Sequence, residues 1–419
     1  MLKENKDWLC LVTLIVAGIS ILLQVFVVFH YWGAPQYSDV PEYIRIAESC
    51  YRDGDWYPQV DHSYFYIWNF GFINFLILQL RLFKTVCLNS VFNLFFSIII
   101  YFEIYHIAKR LFDRQVARLA VILYSLIYSN VMIVGTGMTE LPFLFCGLSA
   151  ICLSLDGKWY GYLFSGLLLA VANTIRPTAI LFLAMIVPLM ILRKRKLPSY
   201  CWLFGAIIFF VVGTGLINRE RTGYFVFQAT TFGDNLIQTA NDMANGMDVS
   251  DLRNDGNSVL SIEKSQDVSV KEKDSVLRSQ AFEWIKENPK WAALLYVKKI
   301  PLLFAEDSWP FGVLNEKPTF GFQMATSTES MKSYVFREIL ERGIRSIGYY
   351  FVLALFCYSL VKNRKELLSE KGVVVLYVVV STLLLCVCKV SSRFHYPIVF
   401  AISIWAAFGL DFLIRGKHN

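Results

Sequence analysis

LCLVTLIVAGISILLQVFVVFHY, residues 9–31, carries no formal charge over a stretch long enough to cross about 30 Å of hydrocarbon as a helix. It is too long for the core of a signal peptide. The Tyr-Trp-Gly-Ala-Pro at its end is a poor cleavage site, so the segment reads as a retained span. Similar runs recur to the C-terminus and predict spans at roughly 88–108, 116–134, 140–155, 160–175, 178–192, 200–217, 344–361, 372–389 and 396–414. Composition agrees: 56% of the 419 residues are hydrophobic and 17% are charged, whereas soluble domains carry about 25% charged residues. The fold class expected is an all-α polytopic membrane protein of about 10 transmembrane helices, with interfacial helices in its outside loops.

A net charge of +7 raises the question of nucleic acid, but the cations sit in short clusters between apolar runs and form no continuous stripe. No nucleic-acid partner is expected, and membrane lipids are. With Lys3 and Lys6 inside, the inside loops hold Lys109, Arg110, Arg114 and Arg118, then Lys158, then Arg193-Lys194-Arg195-Lys196. Lys362, Arg364, Lys365, Arg415 and Lys417 follow on the same side, as the positive-inside rule requires. Both termini are thereby expected in the cytoplasm.

Most of the nine cysteines lie in apolar segments and read as small hydrophobes, with Cys50 and Cys87 nearer a surface. No C-x-x-C or H-E-x-x-H occurs, so neither a metal nor a cofactor is expected.

Three regions emerge: a transmembrane module, 1–217, with a first outside loop at 33–87; an outside loop region, 218–343; and C-terminal spans, 344–419. In the first loop, residues 40–52 place Tyr43, Ile46, Ala47 and Cys50 at helical spacing, which predicts an interfacial helix. The aromatic-rich stretch 64–83 reads as a second one. In the large loop, 241–280 reads as a soluble loop and 281–304 as one amphipathic helix on the membrane surface.

Asp39, Glu140, Arg176, Arg393 and His395 come from distant parts of the sequence, yet this topology puts all five at the outside interface. Charges beside hydrocarbon are costly and tend to face a wet cavity, so the set marks a candidate site. Two acids and two arginines suit removal of a hydroxyl proton beside an anionic group, for which the guanidinium fork is fitted. Each also has a structural reading: Asp39 as a helix cap, Glu140 at a helix start, the arginines as interface anchors, His395 as a buried structural ring. Asp53-Gly54-Asp55 reads as a turn. Glu103 and His106 read as a local pair, and Lys298 and Lys299 as snorkelling cations.

Several of these motifs carry a resemblance. The acid after the first span, Thr139-Glu-Leu-Pro-Phe143, the Gly161–Gly166–Ile175-Arg-Pro-Thr-Ala179 element, residues 217–242, Ala281–Pro289 and Arg393-Phe-His-Tyr-Pro397 resemble GT-C membrane glycosyltransferases. The nearest likeness is to the bacterial group related to protein O-mannosyltransferases and aminoarabinose transferases (glycosyltransferase family 39-like). The resemblance implies a GT-C bundle and an inverting transfer from a polyprenyl-phosphate sugar donor to an acceptor hydroxyl on a lipid, glycan or protein at the outer face of the cell membrane. It implies that Asp39 is the general base and Glu140 a second catalytic acid, with Arg176 and Arg393 facing the donor phosphate; His395, beside Arg393, is a candidate to hydrogen-bond the same phosphate. The chain departs from the family where a frequent Asp-Glu pair is Asp39-Val40, and where a Pro-Pro element gives way near residues 61–64. A flippase for lipid-linked sugars and an outer-face polysaccharide polymerase or ligase are the competing readings. The flippase predicts paired repeats that the sequence does not display.

Overall fold

The computed structural model describes residues 2–59, 67–246, 270–315 and 339–416. Residues 61–64, Lys417 and most of the 241–280 stretch therefore lie outside the described residues. Every predicted span falls on helix, and among the described residues no strand occurs. The helices are α1 (Leu2–His30), α2 (Val40–Arg52), α3 (Phe70–Phe83), α4 (Asn89–Leu111), α5 (Arg114–Ser125), α6 (Tyr128–Met132) and α7 (Glu140–Leu155). Then follow α8 (Trp159–Ile175), α9 (Leu183–Leu192), α10 (Leu197–Thr222), α11 (Phe232–Ile237), α12 (Val270–Glu287), α13 (Pro289–Leu303) and α14 (Trp309–Leu314). The chain ends in α15 (Ile347–Lys362), α16 (Val373–Leu385) and α17 (Val399–Arg415).

Length sorts the spans more strictly than hydropathy alone. Among the described residues four helical stretches are long and apolar enough to cross a membrane singly: Trp8–His30, Asn89–Leu111, Leu197–Thr222 and Ser392–Arg415. Two more pass as bent pairs, α5 with Tyr128–Gly135 at 73° and Ile339–Arg345 with α15 at 66°. Phe70–Phe83, α7, α8 and Pro177–Leu192 are shorter apolar helices. The protein is a multi-pass membrane protein built of long and short helices together.

The last helix is the centre of the bundle. In the Ser392–Arg415 stretch 72% of the residues of its apolar window are buried, against 28% in α1 and 17% in α10, whose apolar side chains face outward. α17 packs on α5, α15 and α16, with Phe400, Ile404 and Trp405 inaccessible. On the other flank α8 runs between α7 and α10. Its glycines explain the spacing seen in sequence: a Cβ on Gly161 would lie 2.4 Å from the Leu153 carbonyl oxygen, and one on Gly166 2.3 Å from that of Leu203. Both are backbone atoms that cannot swing aside. Gly166→Ala is expected to force α8 and α10 apart and to destabilise the protein by about 1–3 kcal/mol, read as a lowered thermal unfolding midpoint in detergent.

Local chemistry sets the helix ends. Asp39 was a candidate cap, but its carboxylate makes no capping bond to α2. Asp113 does cap α5, accepting from the amides of Gln115 at 2.7 Å and Val116 at 2.9 Å. α2 buries Val40, Tyr43, Ile46, Ala47 and Cys50. Cys50 is thus a core residue and not a near-surface one, because it lies on the face turned toward α3. Asp53-Gly54-Asp55 forms the expected turn, with Gly54 at φ +77° and its carbonyl held by Arg81 at 2.6 Å.

Three loop expectations change. The single helix predicted over 281–304 is two, broken at Asn288-Pro289, because a residue before proline is driven out of helical geometry and Asn288 sits at φ −119°, ψ 50°. Residues 270–280, predicted as loop, are helical: Leu277 and Ala281 are apolar at helical spacing and pack against Leu236, Ile237 and Ala240. Lys299 does not snorkel. It is buried and its ammonium donates to the carbonyls of Cys386 at 3.2 Å and Val387 at 3.5 Å, just past the end of α16. Within the bundle, Glu103 accepts from Ser149 across the α4–α7 contact and does not pair with His106.

The short cationic loops converge at one end of the bundle. Arg110 pairs with Asp156, Arg193 with Glu370 at 2.9 Å, and Arg415 with Asp113 at 3.5 Å. Since Asp156 closes the helix that Glu140 opens, Glu140 lies at the other end.

Candidate active site

Four segments meet at that other end. α1 runs into a link whose Gln36 side chain donates to the Gly135 carbonyl at 3.0 Å and accepts from the Gly137 amide at 2.5 Å. The amide of Tyr37 donates to the Val313 carbonyl at 3.0 Å. These clips fix the approach to Asp39 and the approach to Glu140 against each other. Ser38, at φ 66°, turns the chain immediately before Asp39.

Glu140 is the first residue of α7, where a carboxylate is favoured by the helix dipole. Arg176 closes α8; the proline after it holds it extended at φ −148°, ψ 131°, so the helix stops there and a 3-10 turn, Pro177–Phe182, begins. Arg393 comes from another 3-10 segment, Ser392–Ile398, which leads into α17.

The four side chains join into one chain of contacts. Arg393 Nη2 donates to Asp39 Oδ2 at 2.7 Å, and its Nε lies 3.7 Å from Glu140 Oε1. Arg176 Nη1 donates to the same Glu140 oxygen at 2.5 Å. The ring of Phe394 lies between the guanidiniums, 5.4 Å from that of Arg393 and 5.7 Å from that of Arg176. Exposure divides the roles: Glu140 is 1% exposed, while the Asp39 side chain keeps 29%. Asp39 is the carboxylate that an incoming molecule can reach. Burial raises its pKa, but the charge and hydrogen bond of Arg393, with Lys389 and Arg176 further off, outweigh that and hold the group below its usual 3.8.

His395, a candidate partner of the donor phosphate by sequence, is not part of this cluster. It is fully buried, with Nδ1 2.9 Å from the Leu303 carbonyl and Nε2 3.2 Å from Asp307 Oδ1, and it stacks on Tyr349. Residues two apart in any helical turn point in different directions, by about 120° in this 3-10 segment, so Arg393 and His395 do not share a face.

Sequence reasoning missed the residues that hold this segment. Asp307 takes His395 on one oxygen and the Ser129 amide, at 2.9 Å, on the other. Glu306 accepts from the Ser392 hydroxyl at 2.6 Å and from the Ser308 amide at 2.6 Å, with Arg342 3.6 Å away. Both acids are buried and anchor the residues on either side of Arg393. The available signal was a pair of adjacent acids inside the aromatic stretch Phe304–Phe311. Among the described residues no group of three His, Cys, Asp or Glu side chains is gathered for a metal ion.

Residues 70–218, which include Glu140 and Arg176, match the family model for dolichyl-phosphate-mannose-protein mannosyltransferase. No curated protein matches the sequence. Among solved structures, the apo Archaeoglobus fulgidus oligosaccharyltransferase superposes with a TM-score of 0.54 at 11% identity, over 97% of this chain and 51% of that one. The oligosaccharyltransferase of the same organism in complex with an inhibitory peptide and a dolichol-phosphate gives 0.49 at 13% identity, over 99% and 53%. The chain thus spans about half the length of the structures it matches. Its central helices thus match the model of a mannosyltransferase family of the GT-C type, and its fold is similar to that of a GT-C oligosaccharyltransferase.

Proposed function

We propose that the protein transfers a sugar from a polyprenyl-phosphate donor to an acceptor hydroxyl, with Asp39 as the general base and with Arg393 and Arg176 facing the donor phosphate. The observation that carries this reading is the convergence of Asp39, Glu140, Arg176 and Arg393 in one contact chain in which Asp39 alone of the two acids stays accessible. The accessible carboxylate takes the acceptor proton as the hydroxyl oxygen attacks the anomeric carbon. The bond to the phosphate oxygen breaks as the new glycosidic bond forms, and the arginines stabilise the charge that develops on the leaving phosphate. One displacement inverts the anomeric centre. Glu140, locked between two guanidiniums, orients them and does not meet the substrate. Ser392 and His395, held by Glu306 and Asp307, keep the Arg393 segment in register. The reaction is assigned to the outer face of the cytoplasmic membrane, with the cationic loops and both termini on the inner side, as the positive-inside rule favours.

The decisive experiment presents purified protein with a panel of polyprenyl-phosphate sugars and scores release of polyprenyl phosphate. Absence of turnover with every donor, alongside measurable flipping of lipid-linked sugar in vesicles, would replace this reading with a transporter.

The lowered pKa of Asp39 carries a pH consequence. A base must be ionised, and this one remains so until the pH falls below 3.8. The acid limb of kcat/KM, which reports the free enzyme, is therefore expected below pH 3.8. Donor phosphate draws Arg393 away from Asp39, so the acid limb of kcat is expected at higher pH than that of kcat/KM. Coincident limbs near pH 6 would remove Asp39 from the role of base.

A further inference from the structure

A pocket lies at the far end of α17, a helix about 25 Å long at 1.5 Å per residue, on the opposite side from the arginine cluster. It encloses about 730 Å³, within the usual range for small-molecule sites, between the start of α5, the ends of α15 and α17, and the 362–371 link. Phe112, Phe408 and Phe412 give it an apolar wall.

The charges that line it are not balanced. Each acid has a cation partner: Asp113 and Asp411 share Arg415, at 3.5 and 2.8 Å, and Glu366 lies 3.2 Å from Lys371. Lys362, Arg364 and Lys365 also line the pocket, are exposed, and have no acidic partner among the described residues. The surplus is cationic, so a ligand that completes the site is an anion. A soluble anion and a lipid headgroup share that chemistry, and the neighbouring side chains separate them. Leu368, in the same link, is 93% exposed, and Val361, at the pocket edge, is 71% exposed. Apolar side chains that stand this free beside aromatic rings are suited to acyl chains, and the cations above them to phosphate.

We propose that this pocket binds the phosphate headgroup of an anionic glycerophospholipid, with Lys362, Arg364 and Lys365 on the phosphate and the Phe112, Phe408 and Phe412 rings beside the glycerol and upper acyl chain. The site is independent of the sugar-transfer chemistry and lies at the opposite end of the bundle.

The test uses the full chain in detergent with dioctanoyl phosphatidylglycerol or dioctanoyl phosphatidylcholine, and counts retained lipid by native mass spectrometry. The wild type is expected to retain phosphatidylglycerol in preference. The triple variant Lys362→Gln, Arg364→Gln, Lys365→Gln should weaken that retention by roughly tenfold or more. A Lys158→Gln, Lys196→Gln variant, which removes two exposed cations elsewhere in the short basic loops, should retain the lipid as the wild type does. Equal retention by the triple variant, an equal loss in the control, or competition by glycerol phosphate as strong as that of the lipid would overturn the assignment.

Discussion

Asp39→Asn is expected to lower the rate of sugar transfer by about 10²–10⁴-fold, the range that a positioned general base supplies. Asparagine preserves the shape and can still accept a hydrogen bond from Arg393, but it cannot take the acceptor proton. The fold should scarcely notice. The Asp39–Arg393 pair keeps 29% and 20% of its side-chain exposure, and partly solvated ion pairs contribute about 0.2–1 kcal/mol. A large loss of turnover with an almost unchanged unfolding midpoint is therefore the predicted pattern, checked by release of polyprenyl phosphate alongside thermal unfolding. Transfer at the wild-type rate would remove Asp39 from the mechanism, whatever the fate of the donor assignment.

Glu140→Ala should behave in the opposite way, through stability. This carboxylate is 1% exposed, accepts a hydrogen bond from Arg176 and lies 3.7 Å from Arg393 Nε, so its removal leaves two neighbouring guanidiniums without the negative charge they share. Breaking a buried ion pair from one side costs about 3–5 kcal/mol. The lower end, about 3 kcal/mol, is expected here because Arg176 and Arg393 keep 13% and 20% exposure and can turn toward water. The check is the unfolding midpoint in detergent. Glu140→Gln, which keeps an acceptor oxygen, should recover part of the loss. If Glu140→Ala unfolds like the wild type, the acid is not the organiser of the cluster.

The helices were legible because hydrocarbon leaves the chain no choice: backbone groups must be satisfied within each crossing segment, and apolar runs declare where that occurs. Charge asymmetry then sorted polar residues by end. That is why Asp39, Glu140, Arg176 and Arg393, up to 354 positions apart, fall into one group from the sequence, and the fold brings them into contact. What sequence could not supply was direction around an axis. His395 was grouped with Arg393 by proximity along the chain, and the 3-10 turn separates them. Glu306 and Asp307 were overlooked because burial of an acid depends on partners, Ser392, His395 and Arg342, that approach from other segments. The break at Asn288-Pro289 is carried by the dipeptide, while the amphipathic pattern runs straight across it.

The short 3-10 stretch before the last helix carries a constraint on how the gene can change. Each added or lost residue there rotates everything on one side of it by about 120° relative to the other. A single insertion between Ser392 and Pro397 would carry Arg393 off Asp39, or His395 off Asp307, and no side-chain substitution restores both. Point changes can be absorbed one at a time in this segment, but its length cannot drift.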